Sequence, residues 1–343
     1  MAPDSGVPSP LAGEGGERGP SANNGLSYQD TGVDIPAYTA MLERVRPLIA
    51  ATQGPEVVSG VGPFAGMYTL PGGGRLAASA DGVGTKIKVA IACGRHRGIG
   101  HDLVNHCVND IATSGAQPLF FLDYFACGRL DGPVFEDVMA GLAEACQAND
   151  CALLGGETAE MPGLYALGDY DLAGFIVGLV PADLPGREPP RAGDLLVGLP
   201  SSGLHTNGFS LVRRVFEEVP LETVLPELGR PLWEELLEPH RTYLADLRRL
   251  PWKAAAHITG GGLVDNVPRA LPAGLAAEFD RSAWRVPPIF DLVARRGGVD
   301  GDEMLSTFNM GLGMVLVTSD PLPGFPVVGR VVERSAGPRV TFR

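Results

Sequence analysis

The sequence predicts a mixed α/β (α+β) fold that is divided into two domains. Short apolar runs typical of buried strands alternate with segments whose apolar residues recur at helical spacing. A proline-rich stretch over 181–193 interrupts this alternation and predicts a domain boundary. The chain has 343 residues, which is enough for two domains of ordinary size. We therefore expect domains over 27–180 and 194–343.

The first domain is expected to follow a disordered leader over 1–26, which is rich in glycine, proline and serine. Its first helix starts at Asp34-Ile35-Pro36, because proline is favoured in the first turn of a helix. Strands and helices then alternate. The predicted strands are 66–70, 75–80, 118–126, 151–154 and 171–180, and the predicted helices are 86–93, 99–113 and 133–149.

The second domain shows the same two periodicities. A triple glycine, Gly260-Gly261-Gly262, separates a strand that contains His257 from a following helix. The other predicted strands are 194–199, 274–280, 311–318 and 326–334, and the other predicted helices are 207–218, 231–237 and 240–250.

The overall charge limits the possible ligands of this protein. A net charge of −13 argues against a nucleic-acid scaffold, which needs a basic face. An anionic small molecule remains possible, since glycine loops, lysines and Mg²⁺ act locally.

The five cysteines form no CxxC pair and indicate a reduced, cytoplasmic protein. The longest apolar stretch, near Leu172–Val180, is too short to span a membrane.

The most informative stretch is Gly155-Gly156-Glu157-Thr158-Ala159-Glu160-Met161-Pro162-Gly163, which follows an apolar run interpreted as a buried strand. The paired glycines allow a sharp turn or a close approach of the backbone to a ligand. A turn has no need of the two glutamates, whereas a metal–phosphate site does. We predict such a site and favour Glu157 over Glu160 as the metal ligand.

A second motif, Asp81-Gly82-Val83-Gly84-Thr85-Lys86, lies where a predicted strand passes into a predicted helix. Its two glycines allow backbone amides to face an anion, and the helix start adds partial positive charge. Lys86 is suited to phosphate oxygens and Asp81 to Mg²⁺. A glycine turn with a helix-capping aspartate is an equally good interpretation of this motif alone.

The predicted helix 99–113 carries polar residues beside its apolar stripe. Asp102, His106 and Asp110 are four residues apart and share one face, which is acceptable spacing for a metal site. The preferred interpretation of this face, and of Asn109-Asp110, is a solvent-exposed helix surface.

Two loops of the second domain could contact a substrate. His205 and Asn207 lie in Gly203–Gly208, before an apolar helix, where Asn207 is either an N-cap or a substrate contact and His205 an orienting group. His257 precedes the triple glycine, which suits a phosphate or is simply a flexible loop.

Taken together, these stretches resemble the aminoimidazole ribonucleotide synthetase (phosphoribosylformylglycinamidine cyclo-ligase) family of purine biosynthesis. The match covers about 27–334 in family order, and the run over 155–163 is its most specific part. The other matching stretches are 27–34, 81–86, 107–110, 118–124, 203–211, 257–262 and 307–311.

The resemblance implies a homodimer whose N-terminal sheets form a β-barrel-like interface, with ATP covered by the N-terminal segment. It implies that ATP and Mg²⁺ drive ring closure of formylglycinamidine ribonucleotide through phosphorylation of its formamide oxygen. Within this resemblance we assign Asp81, Asp110 and Glu157 to the metal of Mg²⁺–ATP. From their loop positions, His205, Asn207 and His257 are the candidate catalytic residues on the substrate side. The implied cofactor-binding residues are Asp81, Gly82, Gly84, Thr85, Lys86, Asn109, Gly155, Gly156, Glu157 and Thr158.

The chain departs from the family pattern at Gln29, where lysine is common, and at Ala80, where threonine is common. If the lysine contacts ATP, Gln29 weakens or moves that contact. Related ATP-using enzymes, such as selenophosphate synthetases, thiamine-phosphate kinases and hydrogenase-maturation proteins, are alternative assignments, but they lack the full run over 155–163. A non-catalytic nucleotide-binding dimer and a metalloprotein using Asp102, His106 and Asp110 are further alternatives.

Overall fold

The computed structural model describes residues 25–181 and 188–343, and these ranges form two units that each contain a six-stranded sheet. Most of the predicted leader and residues 182–187 of the predicted boundary lie outside the described residues. No helix in the described ranges is long and apolar enough to cross a membrane.

The N-terminal unit has a mixed sheet in the order β1-β2-β3-β6-β4-β5, in which β4 and β5 run parallel and the other neighbours antiparallel. Its strands are β1 Val57–Ser59, β2 Gly66–Thr69, β3 Arg75–Gly82, β4 Gln117–Cys127, β5 Ala152–Glu160 and β6 Tyr170–Val180. Its helices are α1 Ile35–Ala50, α2 Lys86–Cys93, α3 Arg97–Ala112 and α4 Gly132–Ala148.

The C-terminal unit has a sheet in the order β12-β9-β11-β7-β10-β8, antiparallel except for β12 beside β9. Its strands are β7 Leu195–Pro200, β8 Ala254–His257, β9 Leu275–Phe279, β10 Leu312–Thr318, β11 Val327–Glu333 and β12 Val340–Phe342. Its helices are α5 Phe209–Val215, α6 Leu232–Leu236, α7 Leu244–Arg249, α8 Gly262–Asn266, α9 Pro288–Gly297 and α10 Gly301–Thr307.

Helix α3 lies against the inner face of the N-terminal sheet. Its apolar residues Leu103, Cys107 and Ile111 are fully buried there. Gly174 on β6 makes this close contact possible, because an added Cβ would lie 2.3 Å from the Phe121 ring and 2.9 Å from Leu103. The polar side chains of α3 are consequently directed towards the strand end and the C-terminal unit.

The outer face of the N-terminal sheet and one side of α1 are apolar and exposed. On the sheet, the exposed large side chains are Tyr68, Leu119, Leu122, Leu154, Phe175 and Leu179. On α1 they are Tyr38, Met41, Val45 and Leu48. An apolar surface of this extent on one chain is typical of an interaction site.

Strand β5 corrects one prediction. The apolar run before Gly155 is not a buried strand, and the Gly-Gly-Glu-Thr-Ala-Glu sequence is not a turn, because β5 continues to Glu160 at an exposed sheet edge. Gly155, with φ of +136°, lies where the register between β4 and β5 shifts. The glycine therefore permits a β-bulge within the strand.

The contact between α3 and α4 gives a first testable prediction. An added Cβ at Gly141 of α4 would lie 2.0 Å from the Arg97 carbonyl oxygen, so Gly141→Ala is expected to lower the free energy of unfolding by about 1–3 kcal/mol. This loss would occur although alanine favours helices. The control is Gly132→Ala in the same helix, where nothing lies within 4 Å. Equal urea midpoints for the two variants would contradict the prediction.

Candidate active site

Asp81 lies near the end of β3 and points towards the helical face of the sheet. Its Oδ1 accepts a hydrogen bond from the Gly82 amide at 2.9 Å, and its Oδ2 lies 2.7 Å from Nε2 of His106 on α3. The Asp81 side chain is 36% exposed. The carboxylate is therefore held by its own strand end while one side remains open to solvent.

The polar side of α3 is buried, which corrects the preferred interpretation of a solvent-exposed face. Asp102 is 0%, His106 4% and Asp110 6% exposed. The covering residues come from the segment over 238–243, between α6 and α7 of the C-terminal unit. The sequence pattern of one helix cannot reveal this, because the cover is more than 130 positions away.

Three side chains of α3 bind the backbone of segment 238–243. Asp102 Oδ1 accepts the His240 amide at 2.7 Å, and Asn105 Nδ2 donates to the His240 carbonyl at 2.7 Å. Asn109 donates to the Arg241 carbonyl at 2.9 Å and accepts the Tyr243 amide at 2.7 Å. Both amide atoms of Asn109 are thus engaged, so this residue joins the two units and does not face a cofactor as predicted.

Lys86 also differs from its predicted role. Its ammonium is fully buried, 2.9 and 2.8 Å from the two oxygens of Asp102 and 2.8 Å from the Glu238 carbonyl. Burial lowers the pKa of Lys86 and raises that of Asp102 despite their attraction. An ammonium enclosed in this way has no free face for a phosphate, so the structure places Lys86 in the contact between units.

Four side chains converge where β3, α3 and β8 meet, and we call them the His–Asp cluster: Asp81, His106, Asp110 and His257. His257 Nδ1 lies 2.8 Å from Asp110 Oδ1, and His106 Nε2 lies 2.7 Å from Asp81 Oδ2. Single ligand atoms of His106, Asp110 and His257 lie within 4.8 Å of one another. The predicted metal ligands Asp81 and Asp110 are therefore brought together, and two imidazoles join them.

The outward-facing atoms of the His–Asp cluster have partners of their own. His106 Nδ1 lies 3.0 Å from the Thr206 hydroxyl, and His257 Nε2 lies 3.0 Å from His240 Nε2. The Ser79 hydroxyl donates to Asp110 Oδ2 at 3.1 Å. Thr206, His240 and Ser79 were not among the predicted site residues. Only spatial proximity, and no spacing in the sequence, identifies them.

The electrostatic environment shifts the pKa values of the four histidines in different directions. Burial opposes a charge on His106, but the neighbouring carboxylate of Asp81 outweighs it and raises the pKa of His106 to about 9. Burial lowers the pKa of His257 in spite of Asp110, and burial together with nearby imidazoles lowers the pKa of His205 and His240 far more. Burial works against the Asp81 charge, but His106 keeps the pKa of Asp81 below its usual value.

The loop over 203–208 brings two predicted residues to the same region. His205 is 1% exposed, has φ of +61°, accepts the Ser202 amide at 3.2 Å through Nε2 and stacks on His240 with ring centroids 3.9 Å apart. Its buried Nδ1 has no hydrogen-bond partner among the described residues. Asn207 lies beside Gly260, and Gly208 rather than Asn207 is the N-cap of α5.

Glu157 does not join the His–Asp cluster within one chain. It pairs in register with Tyr124 on β4, whereas Asp81 is in register with Gly174 on β6. Cross-strand partners share a face and successive residues alternate, so Glu157 and Asp81 project from opposite faces. They also lie three strands apart, roughly 14 Å. Gly155, Gly156 and Thr158 are on the same strand as Glu157, so they are also distant from Asp81 within one chain.

Glu160, the other glutamate of this run, accepts the Leu130 amide at 2.7 Å. Its carboxylate thus orders the loop that precedes α4 and lies in no contact with the His–Asp cluster. In the single chain the run over 155–163 therefore lies at the edge of the sheet, apart from the His–Asp cluster.

The predicted phosphate loop connects the end of β3 to the start of α2. Gly84 has φ of +70°, which favours glycine, and Thr85 is the N-cap of α2. The Thr85 hydroxyl lies 3.1 Å from that of Ser210 on α5, at an exposed position. The start of α2 therefore has no hydrogen bond from a capping side chain, and it lies between the two units.

A cavity of 600 Å³ lies between the N-terminal segment and the C-terminal unit. Tyr28 anchors the segment through its amide, which donates to Glu303 at 2.7 Å. Gln29, which replaces the expected lysine, donates to Asp34 at 2.6 Å. Among the described residues, the cavity is lined by Asp265 and Glu303 and by no lysine or arginine. These walls suit the uncharged part of a ligand better than a phosphate.

Comparison with known proteins places the chain in a family. The family described as "AIR synthase related protein" matches with its N-terminal domain over 62–180 and its C-terminal domain over 191–325. A phosphoribosylformylglycinamidine cyclo-ligase of Myxococcus xanthus is 52% identical over 86% of this chain and 89% of its own length. One from Thermosynechococcus vestitus is 50% identical, over 85% and 89% respectively.

Solved structures share the fold at lower identity. AaThiL, complexed with AMPPCP and TMP, is 17% identical and has a TM-score of 0.63 over 87% of this chain and 92% of its own. HypE from E. coli, a hydrogenase maturation protein, is 22% identical with a TM-score of 0.55 over 88% and 94%. Half-identical relatives over most of the chain decide the assignment: the chain belongs to the AIR synthase related family, among the phosphoribosylformylglycinamidine cyclo-ligases.

Proposed function

We propose that this protein catalyses the ATP-dependent closure of formylglycinamidine ribonucleotide to aminoimidazole ribonucleotide, with release of ADP and phosphate. It is a ligase of purine biosynthesis, as its curated relatives are named. The observation that carries the proposal is the convergence of Asp81, Asp110 and His257 from both units, in a chain half identical to those cyclo-ligases. The AMPPCP bound by a structural neighbour supports ATP as the phosphoryl donor.

The chemistry requires positioning more than covalent catalysis. An amide oxygen is a poor leaving group, and its phosphorylation by ATP makes it a good one. A substrate nitrogen then attacks the activated carbon, phosphate leaves and the imidazole ring closes. Such phosphoryl transfer depends on alignment and on stabilisation of the charge that develops. A site between the two units suits this reaction, because residues of both units can contact ATP and formylglycinamidine ribonucleotide.

We propose that Asp81 and Asp110 hold the Mg²⁺ that accompanies ATP. The donor set fits: each carboxylate contacts an imidazole of the His–Asp cluster, and Asp81 is open to solvent. When bound, Mg²⁺ supplies neutralisation of phosphate charge. Ser79 and Gly82 keep the two carboxylates oriented. Glu157 is not included, since it projects from the other sheet face.

The phosphate and substrate contacts are proposed from loop positions. The amides of Gly84 and Thr85 lie at the start of α2, whose partial positive charge attracts phosphate oxygens. We assign His205 and Asn207 to the substrate side from their position in the loop over 203–208, where Asn207 lies beside Gly260 of the triple glycine. The uncharged part of ATP fits the cavity beneath the N-terminal segment.

A direct assay tests the function. The full chain is incubated with ATP, Mg²⁺ and formylglycinamidine ribonucleotide, and ADP and aminoimidazole ribonucleotide are measured. We expect one ADP for each imidazole formed. ADP without the imidazole, or no turnover, would count against the proposal. Omitting the substrate is the control, because it separates coupled turnover from simple ATP hydrolysis.

We further propose the domains 27–180 and 194–343, a cytoplasmic location and a homodimer built through the N-terminal sheets. The support for the dimer is the exposed apolar outer face of the N-terminal sheet, where Phe175 is in register with Leu122 and Ala80. A second copy of the same face would cover it with apolar surface of matching extent.

Phe175→Glu is therefore expected to shift the protein from dimer to monomer in sedimentation experiments. A charge placed in the centre of an apolar interface loses its hydration without a partner. Val224→Glu is the control, because Val224 is 57% exposed and lies in the C-terminal unit. Dimers of the Phe175→Glu variant at micromolar concentration would contradict this interface.

A further inference from the structure

We propose that His240 is a positioning residue for the Mg²⁺ site, because its ring holds His257 in the tautomer that binds Asp110. This inference rests on the proposed function, in which Asp110 is a ligand of the Mg²⁺ that accompanies ATP. His240 Nε2 lies 3.0 Å from His257 Nε2, and His257 Nδ1 lies 2.8 Å from Asp110 Oδ1. His240 therefore acts through His257 and not on the metal itself.

The neighbours of His257 determine which of its nitrogens carries the proton. At Nδ1 the neighbour is the Asp110 carboxylate, which accepts hydrogen bonds when ionised. At Nε2 the Asn109 amide nitrogen lies at the longer distance of 3.5 Å. Asn109 cannot flip, because its Oδ1 accepts the Tyr243 amide and its Nδ2 donates to the Arg241 carbonyl. An acceptor at Nδ1 and a donor at Nε2 place the proton of His257 on Nδ1.

The same assignment fixes the direction of the contact with His240. His257 Nε2 carries a lone pair, so His240 Nε2 must donate its N–H across the 3.0 Å between them. Burial keeps the pKa of His240 well below its usual value, so its other nitrogen, Nδ1, is bare. This atom faces the Thr206 hydroxyl at 3.5 Å. The hydrogen bonds thus run in one direction, from Thr206 through His240 and His257 to Asp110.

The backbone and the ring of His240 are both held in place. Asp102 accepts the His240 amide and Asn105 donates to the His240 carbonyl, each at 2.7 Å. The His205 ring stacks on the His240 ring, with centroids 3.9 Å and planes 19° apart. His240 is only 1% exposed, so bulk water does not supply an alternative donor to His257.

The tautomer of His257 matters because Asp110 has to present a fixed oxygen to Mg²⁺. Each carboxylate oxygen has two lone pairs, so Oδ1 can accept from His257 and keep one pair for a metal. With its proton on Nε2 instead, His257 would turn a bare Nδ1 towards the carboxylate and repel it. Outer partners that orient a metal ligand in this way typically change metal affinity by about 10–100-fold.

Two variants of similar size test the donor. His240→Met removes the N–H, whereas His240→Gln keeps an amide N–H that can reach His257. We expect His240→Met to raise the Mg²⁺ concentration for half-maximal activity by about 10–100-fold, while kcat at saturating Mg²⁺ changes much less. His240→Gln is expected to stay near the unmodified chain. An unchanged Mg²⁺ requirement in His240→Met, or an equal rise in both variants, overturns the proposal.

His96→Met is the control for the loss of a buried imidazole. His96 is 7% exposed, and its Nδ1 lies 3.1 Å from the Tyr170 hydroxyl, outside the His–Asp cluster. The Mg²⁺ requirement of this variant is expected to equal that of the unmodified chain. A rise as large as that of His240→Met would reflect a general loss of packing and would also overturn the proposal.

Nitrogen-15 spectra of the histidine-labelled full chain, without Mg²⁺ or ATP, provide a measurement that needs no turnover. The chain has six histidines, so single variants can assign the signals. We expect a proton on Nδ1 of His257 and on Nε2 of His240. In His240→Met, His257 is expected to become a mixture of both tautomers, and in His240→Gln to keep its proton on Nδ1. A proton on Nε2 of His257 in the unmodified chain overturns the proposal, even where a variant fails to fold.

The outcomes separate this proposal from the proposed reaction. Turnover by the unmodified chain with the same Mg²⁺ requirement in His240→Met removes only the positioning role of His240. The expected tautomers in a chain that forms no imidazole product remove the proposed reaction and leave the hydrogen-bond chain in place.

Discussion

Asp110→Asn is expected to lower kcat by about 10²–10³-fold while the protein remains folded. The carboxylate lies between the His257 ring at 2.8 Å and the Ser79 hydroxyl at 3.1 Å. Asparagine has the same shape and can accept from the ring and donate to the hydroxyl. The substitution therefore removes the charge that is proposed to hold Mg²⁺ and leaves the packing in place.

The comparison of kinetics and stability makes this prediction specific. Steady-state kinetics with ATP and formylglycinamidine ribonucleotide give kcat, and urea unfolding is expected to differ from the unmodified chain by no more than about 1 kcal/mol. Asp123→Asn is the control, since Asp123 is also buried on the helical face of the sheet but lies outside the His–Asp cluster. An unchanged kcat for Asp110→Asn would show that Asp110 holds no metal in the reaction.

Lys86→Met is expected to produce the largest loss of stability, about 3–5 kcal/mol. The substitution leaves the Asp102 carboxylate enclosed without its cation, because both side chains of the pair are fully buried. It also removes the donor to the Glu238 carbonyl, which helps to hold the two units together. The measurement is the free energy of unfolding from urea titration.

A second substitution tests whether the buried charge is the cause. Lys86→Met combined with Asp102→Asn is expected to recover part of the loss, since the asparagine oxygen still accepts the His240 amide. Lys88→Met is the surface control, because the Lys88–Asp169 pair is partly exposed and is worth less than about 1 kcal/mol. A double variant less stable than Lys86→Met would point to packing rather than charge.

Most elements of the fold were predictable from local signals. Helix α2 has the predicted bounds, and the Asp34 side chain caps α1 by accepting the Ala37 amide, as the proline at the helix start indicated. Capping and periodicity act over a few residues, so they are visible in the sequence. Strands β1 and β12 were missed, because each is only three residues long. Helices α9 and α10 were missed as well.

The candidate site was predictable only in part. The proposed metal ligands Asp81 and Asp110 follow from motifs, and the structure brings them together. The sequence places Glu157 with them because it follows a predicted strand, but it does not reveal the strand order or the face of the sheet. The sequence predicts a phosphate contact for Lys86, because lysines near glycine loops often bind phosphate. Its buried partner Asp102 is sixteen positions away and is not visible in the motif.

The sequence by itself determined the two-domain α/β class, the family resemblance and the glycine-rich strand ends, because these depend on local periodicity and on motifs. The tertiary structure alone decided which polar residues meet. It turned the side of α3 that carries His106 and Asp110 from an expected exposed surface into a buried contact with segment 238–243. The physical reason is that burial and ion pairing depend on residues distant in the chain, whose approach is set by sheet order and by the packing of the two units.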